Sequence, residues 1–355
     1  MLFKRRLKPL IGLDVGSSSI KLVQLRETRT GYALEKFGVR PLEPELIVDG
    51  SVMDAGPIVD TIKALVSECK LKTKDVALAV SGHSVIVKKV KLSPMSEDEL
   101  EEMIKWEAAQ YIPFDINEVN LDFAILEGQQ GEEAQGEMNV ALVAVKKDKL
   151  ASYTSLVSEA GLRPVVVDVD AFTLENMYGT NYDVNTSEVV ALVNIGASVI
   201  NMNILVGGTF GFTRDISIGG NRYTETIQKE LNISHAAAEA AKCGQQNREA
   251  DVTAVDGIVA TINNEVAMEI SRSLDYFRTT TMHDQVHRLV LSGGGAKVKG
   301  LVEVLTERCQ VPLELANPFK QIEINEKSVN ADLIREAGIQ AAVAVGLAIR
   351  RVGDR

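Results

Sequence analysis

Two stretches 180 positions apart carry nearly the same eight-residue pattern. Asp14-Val15-Gly16-Ser17-Ser18-Ser19-Ile20-Lys21 is echoed by Asn194-Ile195-Gly196-Ala197-Ser198-Val199-Ile200-Asn201. Each copy follows an apolar run (Leu10 to Val15; Val189 to Ile195) and leads into another (Ile20 to Leu25; Ile200 to Val206). That pattern predicts a β-hairpin with a small-residue turn, twice. Turns of Gly, Ser and Ala leave backbone N–H groups uncovered, so the main chain can approach an anion closely. Two such loops, one per half, predict a chain of two like halves gripping a polyphosphate from opposite sides.

The 355 residues suffice for a sizeable core and two or more domains. With 45% hydrophobic and 25% charged residues the chain has a globular composition. The net charge of −11 argues against a nucleic-acid-binding face, which would be basic. Cys69, Cys243 and Cys309 form no C-x-x-C pair and are expected to be buried free thiols in a reducing compartment. Met1 to Arg6 is basic, yet no apolar segment follows it as in a signal peptide. The most apolar run, Ile339 to Ile349, is too short to span a bilayer. A role at a membrane would therefore run through a partner.

Residues 8–80 alternate strands with one helix, whose period is carried by Ile58, Val59, Ile62, Leu65, Val66 and Cys69. Residues 81–163 read as an inserted α+β module of order βαββα. Its first helix opens with a capping box, Ser96 and Glu99, and a Met95–Leu100 staple. That helix presents Leu100, Met103, Ile104, Ala108 and Tyr111, and the polar loop Gly128 to Gly136 separates two later strands. The second helix, Lys147 to Ala160, stops at Gly161. Residues 164–186 return to the first half with a Val165–Asp168 run expected to be a buried strand, then a helix. The second half comprises 187–220 and 286–355, with a helical subdomain at 221–285. Its last helix is expected over Ala331 to Arg350, buried in its latter part.

Three elements converge on one chemistry. Asp14 at a strand end can hold Mg²⁺ through its water shell, while Lys21 can reach a phosphate. Gly196, Ala197 and Ser198 supply the opposite side. Leu291-Ser292-Gly293-Gly294-Gly295-Ala296 ends a strand in three glycines before an expected helix, Val298 to Cys309. Such a turn admits a bulky adenosine against the backbone and aims a helix N-terminus at anions. Neither G-x-x-x-x-G-K-[ST] nor G-x-G-x-x-G is present there. Each turn alone is weak, and Asp14 alone can simply cap its own loop.

Phosphate loop, connecting helix, second phosphate loop, adenosine loop, connecting helix: this order resembles the actin/Hsp70/sugar-kinase ATPase superfamily. The insertion inside the first half resembles that of the cell-division protein FtsA. Ile11 to Leu22, then Glu107-Ala108-Ala109-Gln110-Tyr111-Ile112-Pro113-Phe114 running into Val119 to Asp122, then Ala160 to Pro164 with Asp168 to Ala171, resemble the PilM family. These are actin-like cytoplasmic proteins of type IV pilus machines. The resemblance covers essentially the whole chain. It implies an α/β, actin-like (ribonuclease-H-like) two-lobed ATPase fold with an FtsA-type α+β inserted subdomain, and ATP with Mg²⁺ in the cleft. It implies that Asp14, Gly16, Ser17, Ser18 and Lys21 face the phosphates and metal from one lobe. Asn194, Gly196, Ala197 and Ser198 would face them from the other. Gly293, Gly294 and Gly295 would line the adenosine. Lys229 and Glu230 are adenine-side candidates or a solvated helix face. Asp168 and Asp170 are candidates for orienting the attacking water, or helix N-caps before Ala171.

One departure matters: the superfamily usually has Asp where this chain has Asn194. Asn can still accept a hydrogen bond from metal-bound water but removes a negative charge. Phosphoryl transfer is nearly all positioning and electrostatics, so a nucleotide-dependent scaffold or switch with slow hydrolysis at most is expected. By resemblance the partner is the short cytoplasmic N-terminal tail of PilN, a single-span inner-membrane protein, docking on the 81–163 module. Contacts with other pilus platform and motor proteins, and self-association, stay open. Trp106 is either a rim contact within the module or an anchor for a partner. His283 and His287 have metal-ligand spacing but no third ligand. A small-molecule kinase would need an acidic base and a substrate signature, and neither is evident. An FtsA-like division role fits poorly with an ending at Arg350 to Arg355, where that family usually carries a membrane-binding amphipathic helix.

Overall fold

The computed structural model describes residues 10–126, 137–245, 250–281, 283, 285–325 and 329–354. The basic start at Met1 to Arg6 and the Gly128 to Gly136 loop lie outside the described residues. The first hairpin joins β1 (Ile11–Val15) to β2 (Ser19–Glu27), and β3 (Tyr32–Pro41) continues it antiparallel. A two-residue hairpin follows, β4 (Ile47–Val48) with β5 (Ser51–Val52). Next comes α1 (Ala55–Cys69), which starts because the Asp54 side chain accepts from Gly56 N and stops at left-handed Lys70. Ile58, Val59, Ile62 and Leu65 form its buried face, each worth roughly 1.5–3 kcal/mol over exposure. The strand β6 (Asp75–Val80) then runs parallel to β1.

The inserted module begins with β7 (Val85–Leu92) and α2 (Glu97–Ala108), where both halves of the Ser96–Glu99 capping box form. It continues with β8 (Val119–Leu126) and β9 (Met138–Lys146), in a three-stranded antiparallel sheet of order β7-β9-β8. Its own core gathers Val90, Leu100, Ile104, Ala108, Val140 and Leu142. Met103, expected in the helix stripe, is 43% exposed instead, because the stripe is narrower than its apolar residues suggest. The next helix, α3 (Lys147–Glu159), departs further from expectation. Its Tyr153, Leu156 and Val157 pack with α1 and the first-lobe strands, so structurally the module closes at β9 and not at residue 163.

The strand β10 (Arg163–Val169) returns beside β6 in parallel, and α4 (Asp170–Asn181) leads across to the second lobe. The Val165–Asp168 run is an edge strand rather than a buried one, with Val167 37% exposed. The second hairpin pairs β11 (Val189–Ile195) with β12 (Ile200–Val206), extended by β13 (Thr209–Ile216). Three helices follow: α5 (Gly220–Leu231), α6 (His235–Lys242) and the 29-residue α7 (Val252–Thr280). After β14 (Arg288–Ser292) the glycines form a 3₁₀ turn, Gly294–Lys297. The helix α8 (Leu301–Cys309) starts only at Leu301, after left-handed Gly300, so no helix N-terminus points from the glycines as expected.

Two short strands, β15 (Leu313–Leu315) and β16 (Ile322–Ile324), precede α9 (Ala331–Ala337) and α10 (Ala342–Ile349). The single last helix of the sequence reading is thus broken by a 3₁₀ turn at Gly338–Ala341. The two large sheets have orders β10-β6-β1-β2-β3-β16 and β13-β12-β11-β14-β15. Apart from β16, they repeat one plan: three hairpin-linked antiparallel strands, then two parallel ones. The terminal segment does not stay with the second lobe. It adds β16 to the first-lobe sheet, and α10 packs across β1, β2 and α4. There Gly346 touches the chain so closely that a Cβ would stand 1.9 Å from the Thr173 carbonyl oxygen. Of the cysteines, Cys309 is buried, Cys69 intermediate and Cys243 exposed, so the expectation of three buried thiols holds for one.

Candidate functional site

The repeated pattern places equivalent residues at equivalent points. Asp14 stands opposite Lys21 in the first hairpin, as Asn194 stands opposite Asn201 in the second. Both turns close with the same backbone bond, Gly16 N to Ser19 O at 3.2 Å and Gly196 N to Val199 O at 3.0 Å. The two turns meet: Ser17 Oγ and Ser198 Oγ are hydrogen-bonded at 2.8 Å across the lobes. The second turn is pinned from behind by α5, whose Gly220 and Asn221 amides donate to the Gly196 and Ala197 carbonyls. Asn221 Nδ2 also donates to Ser198 Oγ at 3.3 Å.

Asp14, Gly16, Ser17, Ser18, Lys21, Asp170, Asn194, Gly196, Ala197 and Ser198 line one cavity between the lobes. It encloses ≈ 100 Å³, well below the ~300–1,000 Å³ of pockets that hold drug-sized ligands. In this arrangement the two turns touch and the cavity is too small for a ligand of that size. Lys21 is ion-paired with Asp14 at 3.3 Å. A polar ladder crosses the second hairpin. Ser292 Oγ donates to Asn194 Oδ1 (3.2 Å), Asn194 Nδ2 to Asn201 Oδ1 (3.2 Å), and Asn201 Nδ2 to Asp215 Oδ1 (2.9 Å). Asp215 closes it by accepting from Gly82 N at 2.6 Å, a bond between the two lobes. Burial raises the Asp215 carboxyl above its ordinary range, opposed by these hydrogen bonds from Asn201 and Gly82.

Asp170 opens α4 at the cavity wall. Burial, and then the charge of Asp14, push its carboxyl up to about 7, against a hydrogen bond from Ser81 and the charge of Lys149. Asp168 faces elsewhere: it is buried and ion-paired with Arg350 Nε at 3.1 Å. The N-cap alternative holds for neither, since α4 is capped by Val169 with no side-chain bond. Lys229 and Glu230 lie exposed on α5, outside the cavity lining. The three glycines also lie outside it. Their spacing answers to packing: a Cβ on Gly293 would meet Ile195 O at 2.4 Å, and one on Gly295 would meet Ile195 Cγ2 at 2.3 Å. Gly293 and Gly295 let β14 and its 3₁₀ turn press against the root of the second turn at Ile195.

The cavity also holds residues the sequence reading missed, chiefly Lys149, Tyr153, Ser81, Gly82 and Asn201. Asn201 was legible as the seventh residue after Asn194, matching Lys21 after Asp14. Lys149 carries no such signal. His283 and His287 lie outside any helix; His283 stacks on Phe277, and His287 Nδ1 accepts from Val189 N.

Two lobes of one strand plan, facing each other through matched turns, define an actin-like protein. The profile of the type IV pilus assembly protein PilM family matches residues 12–352, and the chain belongs to that family. A solved PilM–PilN type IV pilus biogenesis complex is 30% identical, with TM-score 0.86, covering 98% of this chain and 99% of that one. The cell-division protein FtsA of Pseudomonas aeruginosa is 24% identical over 88% of this chain and 84% of its own length. MreB5 of Spiroplasma citri, solved with AMPPNP, shares the fold at 14% identity and TM-score 0.53, covering 96% of this chain and 94% of that one. Among the described residues no helix is long and apolar enough to cross a membrane.

Proposed function

We propose that this chain is an ATP-binding scaffold of the type IV pilus assembly platform, whose lobes change spacing with nucleotide and which holds the cytoplasmic N-terminal tail of PilN. The observation that carries the nucleotide half is the meeting of two matched small-residue turns, with Lys21 beside them, in one interlobe cavity. Uncovered amides and an ammonium are the donors a polyphosphate needs. Among the described residues no three His, Cys, Asp or Glu side chains gather as a self-sufficient metal site. Mg²⁺ would accordingly arrive with the phosphates, facing Asp14 through water. ATP would supply the negative charge that both turns share. This chain's own contribution is to hold that charge between Lys21 and the turns and to keep Asp14 on the metal side. Gly293 to Gly295, Lys229 and Glu230 remain the adenosine-side proposal, although they lie outside the cavity lining in this structure.

The partner half is supported by the family and by the solved PilM–PilN complex. In the module, Trp106 is 80% exposed, an aromatic side chain available to anchor a partner. Membrane proximity would come through that partner. Titrating purified protein with ATP and with a PilN-tail peptide tests both halves. ATP binding that falls at least about tenfold in Lys21→Ala, and peptide binding that falls in Trp106→Ala without loss of stability, are expected. Absence of ATP binding in the wild type would refute the nucleotide half.

A further inference from the structure

The cavity holds a second half-buried ammonium that the nucleotide reading does not use. Lys149 is the third residue of α3, directly after β9, the central strand of the inserted module. It lines the cavity with Asp14, Lys21 and both turns. Unlike Lys21, it has no ion pair among the described residues. Its Nζ donates to the Gly50 carbonyl and sits 4.3 Å from the Tyr153 ring centroid, while Tyr153 Oη donates to the same carbonyl at 3.2 Å. Gly50 forms the β4–β5 turn, and Ile47 of β4 also lines the cavity. A Cβ on Gly50 would stand 2.6 Å from Lys149 Nζ, so turn and lysine are fitted to each other.

A desolvated ammonium bonded to a neutral carbonyl and a ring face gains much from an anion placed beside it. Burial lowers the Lys149 ammonium to about 8, with Asp170, Asp148 and Asp215 acting the other way. Those carboxylates hold charge on it without pairing with it.

We infer that Lys149 is a second phosphate-contacting lysine, and that a bound polyphosphate draws it off the Gly50 turn and so transmits cleft occupancy through α3 to β9 and the module. This rests on the nucleotide reading and adds the residue that senses the phosphates. The alternative, a lysine that only pins the β4–β5 turn, would affect stability but not the dependence of binding on phosphate number.

The test is calorimetric titration of the full chain, as wild type, Lys149→Met and Lys149→Arg, with ATP, ADP and adenosine. Lys149→Met is expected to lose about tenfold or more in ATP affinity, less for ADP and nothing for adenosine, with Lys149→Arg close to wild type. Should the Met variant fail to fold, Lys149→Gln, which keeps a donor for Gly50, serves instead. Hydrogen exchange over residues 47–52 should change on ATP binding in the wild type and not in the neutral variant. If the wild type binds ATP and the neutral variant matches it for all three ligands, or exchange at 47–52 ignores bound ATP, the inference falls. If the wild type binds neither ATP nor ADP, it is the nucleotide reading that has failed.

Discussion

At the scale of single residues, the two hairpins differ most where they correspond best. Asp14 faces Lys21 as an ion pair, while Asn194 faces Asn201 as an amide pair. The second pair has become a link in a polar ladder from Ser292 to Gly82. Asn194→Asp should break that ladder, because a carboxylate cannot donate to Asn201. A loss of about 1–3 kcal/mol at pH 7 is expected in urea unfolding. Asn194 puts an amide where the first hairpin has the Asp14 carboxylate, so the proposed nucleotide site lacks a second charged hairpin anchor, and steady-state ATP turnover by the wild type should stay well below ~1 s⁻¹. Most of this was legible in the sequence, since the echo fixes which residues oppose each other. Lys149 was not, because its neighbours Gly50 and Asp170 are distant in sequence and share no motif with it.

At the scale of elements, the small-residue crossing of α4 and α10 sets how the lobes meet. Gly346→Ala should cost about 1–3 kcal/mol, read as a fall in thermal midpoint, because the added methyl meets backbone that cannot yield easily. Glu175 on the same helix α4 is half-buried against β12 and β13 of the second lobe, and desolvation pushes its carboxyl up to about 7 despite hydrogen bonds from Asn203 and Phe210. Between its ordinary range near 4.5 and about 7, the folded state then binds more protons than the unfolded one. Stability contributed here is therefore lost as pH rises through that window. Glu175→Gln should gain on the wild type from pH 5 to pH 7.5, measured as urea midpoints. Hairpins and capped helices were readable because turn and cap chemistry is local. The break at Gly338–Ala341 was not, since an Ala-rich apolar run fits one long helix or two short ones equally. The Val-rich β10 likewise reads as buried, although its place at the sheet edge is a matter of topology.

At the scale of the whole molecule, the inserted module stands on two paired strands. Val87 is opposite Val143, and both pack against the first-lobe core, so the module can be cut beyond that pair without opening the lobe. Replacing residues 88–142 by a short turn should leave a folded, ATP-binding protein that no longer captures the PilN tail. Removing 81–163, the boundary read from sequence, would also take α3 and its core residues Tyr153, Leu156 and Val157. Loss of ATP binding on the shorter excision, with peptide binding kept, would reverse the assignment of the two sites.

Amide exchange at the two turns, with and without saturating Mg²⁺ and ATP and with adenosine as control, tests the account most directly. Joint slowing across 16–19 and 196–199 with ATP, and little change with adenosine, is the expected result. Slowing at one turn alone, or at neither while ATP is bound, would contradict a triphosphate held between both lobes.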